Sequence, residues 1–210
     1  MNKHLLRALL PLALCAVPAA APAQVNAQAD IAAMRAATAR FRDVRVALAE
    51  GYVADPGNGC HDSAGMGGDP ALGGMGIHYF RPAQLGITAP PNPRVSGTGT
   101  HTDWSNPSIL IYEPQADGSL ELVAVENLVF QAGWTAAGHR APPTISGRPW
   151  DRMQDDPATP VDEAHGFEPH FDQHVWIWRD NPRGMFEQFN PNVSCRHHRA
   201  QGAHAGHAGH

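Results

Sequence analysis

The sequence predicts an α+β domain: an N-terminal helix packed on a mainly antiparallel β-sheet or small barrel, with long Pro/Gly-rich loops. Three observations carry this. One apolar stripe of helical period lies near the N-terminus. Later runs are β-branched or aromatic, bounded by Gly, Pro and Asn, with no helical stripe through them. Two such runs flank an Asp-Gly pair, a strong hairpin signal.

The helix is expected over Asp30 to Glu50, where Ile31, Met34, Ala37, Phe41, Val44 and Leu48 recur at spacings of three and four. Asp30 can cap its start and Gly51 can close its end. Arg35, Arg40, Arg42 and Arg45 form a solvated basic face. Residues 52–76 read as a glycine-rich loop in which His61 is exposed and the methionines serve packing rather than copper ligation. Ile77 to Phe80 is a short strand ended by Pro82, and it presents His78. A proline-rich connection follows, carrying His101, Asp103 and Trp104.

Ser108 to Phe130 is the hairpin. With Asp117-Gly118 as its two-residue turn, Ile109 pairs with Glu126 and Glu113 with Leu122. One face then carries Ile109, Ile111, Glu113, Leu122, Ala124, Glu126 and Leu128. Glu126 sits among hydrophobes, and a buried carboxylate is costly unless paired, protonated or bound to metal. A slip of one residue would turn it outward. Residues 131–168 are irregular, and their acidic part from Asp151 to Glu163 reads as a solvated loop.

The next strand opens at His170. On a strand alternate residues share a face, which groups His170, Asp172, His174, Trp176 and Trp178. The loop after it is punctuated by Asn181-Pro182, Gly184 and Asn190-Pro191 and ends at Cys195. The terminal HHRAQGAHAGHAGH contains nothing that builds a core. It predicts a disordered tail over 197–210, where His197, His198, His204, His207 and His210 capture zinc, copper or nickel weakly.

The N-terminus reads as an export signal over 1–23. Lys3 and Arg7 supply positive charge, Ala8 to Val17 an apolar stretch too short to span a bilayer, and Ala21-Pro22-Ala23 a cleavage site. Lipid attachment at Cys15 is disfavoured by the bulky Leu14 before it. The rest predicts one globular domain over 24–196, periplasmic or secreted. Fifteen Lys and Arg face twenty Asp and Glu, for a net charge of −5. With no basic patch beyond the helix face, nucleic acid and anionic membranes are excluded as partners; a metal ion or small molecule is not. Lys3 is the only lysine, so Schiff-base chemistry has no lysine once the signal is removed. For Cys60 and Cys195 in an exported chain, the simplest reading is one disulfide, and a pair of metal-binding thiolates is the alternative.

The candidate ligands on strands are His78, Glu126, His170, Asp172 and His174. Residues four apart on a strand lie roughly 13 Å apart, so one ion cannot readily take both His170 and His174. His174, which directly precedes the apolar run, is preferred, and His170 is placed at the rim with Glu113, Asp172, Trp176 and Trp178. A site of His78, Glu126 and His174 draws one ligand from each of three strands. Two His and one carboxylate suit zinc, or iron with open positions; copper is also compatible. A hydrogen-bonded His–Glu–His network without metal is the competing reading.

The motifs Met75-Gly76-Ile77-His78-Tyr79, Leu110-Ile111-Tyr112-Glu113-Pro114, Val123-Ala124-Val125-Glu126, His174-Val175-Trp176-Ile177-Trp178, Asn181-Pro182-Arg183-Gly184-Met185-Phe186 and Asn190 to Cys195 occur in this order. In them the chain, from about Thr38 to Cys195, resembles a family of uncharacterised exported bacterial proteins. The resemblance implies a Cys60–Cys195 bridge and marks His78, Glu113, Glu126 and His174 as motif positions. It implies no activity. The expected function is an exported metal-binding protein. Two alternatives stand beside it. One is a metal-dependent enzyme of hydrolase or oxygenase type, with Glu126 or Asp172 as base. The other is a metal-free ligand-binding or structural β-domain walled by Trp176 and Trp178.

Overall fold

The computed structural model describes residues 22–55, 59–159 and 162–199. The expected signal lies outside these residues except for Pro22 and Ala23, and so do His204, His207 and His210.

The N-terminal helical region is broken rather than continuous. Helix α1 (Pro22–Thr38) leads through a 3-10 turn (Ala39–Arg42) to α2 (Val44–Ala49). Asp43 makes the break: it is extended, and its carboxylate accepts from the Arg45 amide as an N-cap. Asp30, expected to cap the start, lies inside α1. The break keeps the stripe on the core, because Met34, Phe41 and Ala47 are all buried in one cluster.

Strand β1 (Val53–Ala54) and β2 (Cys60–Asp62) both pair with β3 (Gly74–Phe80). The stretch read as loop therefore holds two edge strands and the start of a third. After the short helix α3 (Pro82–Leu85) come β4 (Ile109–Pro114) and β5 (Leu120–Phe130). Then follow α4 (Gln131–Ala136), the small hairpin β6 (Thr144–Ile145) and β7 (Arg148–Pro149), β8 (Asp151–Met153) and β9 (His170–Val175). The main sheet runs β1-β3-β4-β5-β9-β8 with β2 also on β3, and every pairing between its strands is antiparallel. It is an open sheet, with α1, α2 and α4 packed on one face and the short α3 on the other.

Side-chain alternation divides the core in two. The helix face holds Tyr79, Leu110, Tyr112, Val125, Val129, Phe171 and Val175 with Met34 and Phe41. The other face holds Phe80, Ile109, Ile111, Ala124, Leu128 and Trp176, covered by Leu85 of α3 and by the loop residues Val95, Phe167 and Val193. His78, Glu126, His170, Asp172 and His174 alternate onto this second face.

The hairpin register holds at one end and slips at the other. Ile109 pairs with Glu126, but Glu113 pairs with Glu121, because a bulge between Ile111 and Tyr112 leaves Val123 unpaired. The Val123 carbonyl accepts from the amides of Trp178 and Arg179 at 3.2 and 3.0 Å. That capture follows the end of β9 at Val175. Trp178 consequently packs on the helix side, where its Nε1 donates to Thr38 Oγ1 at 3.2 Å. Cys60 and Cys195 form a disulfide, which ties β2 to the C-terminal loop. No described helix is long and apolar enough to cross a membrane.

Candidate metal centre

Sheet register assembles the centre. Glu126 on β5 stands directly across from His174 on β9. His78 is two strands from Glu126, since β4 lies between them. With strands about 4.8 Å apart, their backbones are separated by about 10 Å. Both side chains lean across β4 to close that gap. The residue of β5 in His78's own row is Ala124, reached through Ile111, and its methyl group does not block the approach.

One carboxylate oxygen is the hub. Glu126 Oε2 lies 3.3 Å from His78 Nε2 and 3.4 Å from His174 Nε2. All three residues are buried, and their ligand atoms fall within 4.8 Å of one another. Among the described residues, neither Glu126 Oε2 nor His174 Nε2 has a hydrogen-bond partner, so these approaches are not hydrogen bonds. His78 Nδ1 is likewise buried and unpaired. Its ring is held instead by edge-on contacts with His61 and His174, at centroid distances of 5.4 and 5.7 Å. Trp176 stacks beside His174 at 6.2 Å.

Burial sets the protonation. It pushes His78 down to about 3, with the neighbouring His61 adding to the effect, and it lowers His174 as well. Both imidazoles are therefore neutral at neutral pH, as metal ligation requires. Burial raises Glu126 to about 7. Three convergent donors of this kind can hold a divalent ion.

The centre opens onto a cavity of about 30 Å³. Asp55, His61, His165, His170 and Asp172 also line it. His170 is 1% exposed, so it lies deep rather than at the rim. Its Nδ1 bonds the Glu168 carbonyl at 3.0 Å, and its Nε2 lies 3.6 Å from Asp172. Burial opposes charge on His170, but the adjacent Asp172 carboxylate holds it above its ordinary range. Burial likewise opposes charge on Asp172, and His170 holds it below. Asp172 is two residues from His174 on β9, on the same face of the sheet as Glu126, and its negative charge adds to the rise of Glu126.

Glu113 and Trp178 take no part. The Glu113 carboxylate accepts from Arg179 and from the Ser194 amide, both at 2.9 Å, far along β4. His61 is half-buried rather than exposed, because its strand pairs with β3; its Nε2 lies 3.2 Å from Asp55. His197 and His198 lie outside the cavity. His165 was not anticipated. It stands in the acidic stretch's continuation at φ +54, a backbone conformation no sequence period announces. Compared with known protein families, curated proteins and solved structures, the chain shows no match.

Proposed function

We propose that this is an exported metal-binding protein whose resident site is His78, Glu126 and His174, occupied by a divalent transition ion such as zinc, iron or copper. The observation that carries the reading is the pair of unpartnered atoms at the hub. Ligands on a tetrahedral ion with bonds of 2.0–2.1 Å stand about 3.3–3.4 Å apart, and the two spacings about Glu126 Oε2 are 3.3 and 3.4 Å. A hydrogen-bonded network would instead satisfy those atoms, since an orphaned buried polar group costs about 1–3 kcal/mol. Export is supported by the N-terminal signal pattern and by the disulfide.

The test is metal content. In a full-length chain with His197, His198, His204, His207 and His210 changed to Ala, about one ion per chain should remain. His174→Ala in that background should abolish it. Retention of the metal in that variant would sink the site. The Asp172 carboxyl beside Glu126 favours a second reading, in which the ion activates a water for chemistry. The metal-free reading loses support, because Trp178 faces away from Trp176.

A further inference from the structure

We infer that the ion at His78, Glu126 and His174 keeps an open coordination position that takes a small anion of two or three atoms, held at its far end by His165. This rests on the metal reading above and goes beyond it by naming the ligand. Three protein ligands leave at least one position free on a four-coordinate ion. The cavity beside them has a free volume of about 30 Å³. One water needs roughly 10–15 Å³ by the same measure, so the space suits a short ligand and no larger group. Met75, Phe80, Ile109, Leu128 and Phe167 form the apolar part of the rest of the wall, beside Asp55, His61, His170 and Asp172.

His165 gives the ligand its polarity. The Gln188 side-chain nitrogen donates to His165 Nε2 at 2.9 Å. A neutral imidazole whose Nε2 accepts carries its proton on Nδ1. His165 Nδ1 is buried and has no partner among the described residues. The cavity thus has a Lewis-acidic end and, in its wall, a hydrogen-bond donor without an acceptor. A ligand that answers both is short, anionic and ends in an acceptor atom, as hydroxide, peroxide and azide do.

Azide is the probe, and cobalt(II) is the reporting ion, both on the full-length chain with the tail histidines changed to Ala. One equivalent of cobalt(II) should give a visible spectrum that azide shifts saturably and imidazole does not. His165→Ala should keep the cobalt spectrum and weaken azide about tenfold, the worth of one hydrogen bond to a charged group. Phe167→Ala, which enlarges the wall, should let imidazole in. An unmodified site that binds cobalt but takes imidazole as readily as azide, or ignores azide, overturns the inference while leaving the metal reading intact. Absence of any cobalt spectrum overturns both.

Discussion

Glu126 and His174 face each other across the β5–β9 ladder, and the carboxylate oxygen that approaches His174 at 3.4 Å also approaches His78 at 3.3 Å. One oxygen therefore commands both imidazoles. Glu126→Gln keeps the shape and removes the charge. The variant should bind less than a tenth of the metal that the unmodified chain holds, read by elemental analysis. Its metal-free form should melt no lower than the metal-free parent, because the substitution removes a desolvated carboxylate. A metal-free variant that melts well below its parent would show that Glu126 is structural.

Protons should leave as metal binds. With Glu126 near 7, about one proton per ion should be released near pH 6, because His78 is already neutral there and burial disfavours the charged form of His174. Calorimetry in buffers of different ionisation heat measures this. Release of two or more protons would show that the imidazoles are charged in the empty site.

The metal-free protein should weaken in acid in a characteristic way. His78 sits at about 3 when folded against an ordinary 6.5, so the stability it confers above 6.5 is lost as pH falls toward 3. Glu126 has the opposite sign. Its contribution is complete below its ordinary 4.5 and fades as pH rises through about 7. The two oppose each other between 4.5 and 6.5, so the His78 loss should steepen below about 4.5. Urea unfolding across this range should show that break, and His78→Gln should flatten it.

Gly76 places β3 against β4. Its φ is +114°, and a Cβ there would meet the Tyr112 carbonyl oxygen at 2.6 Å. Gly76→Ala should cost more than about 2 kcal/mol, and it should weaken metal binding because His78 is two residues away on the same strand. A urea midpoint equal to that of the parent would refute the close approach.

The hairpin shows how far the sequence could be read. Alternation and Asp117-Gly118 placed Ile109 against Glu126, and the structure has that pair. They could not place the bulge at Val123, since a bulge changes no residue type, only the count. The pairing of Glu113 and the turning of Trp178 toward Thr38 both follow from that region. The helix was legible as a stripe, but its break at Asp43 was not, because the stripe continues through it. Strands of two or three residues, such as β1 and β2, are too short for any period to register. The place of His61 was missed for that reason, and that of His165 because a left-handed turn has no period either. Their places at the cavity depend on pairing with β3 and on a left-handed turn.

The bond between Cys60 and Cys195 spans 135 residues, and in the chain-entropy model such a closure contributes roughly 4–5 kcal/mol. It also imposes an order of events on synthesis. A chain made from its N-terminus presents Cys60 early and Cys195 only after every ligand-bearing strand has emerged. A product that stops anywhere before Cys195 can contain His78, Glu126 and His174 yet never fasten β2, with His61, to the finished fold. The bridge thus forms only in a chain that already carries all three ligands.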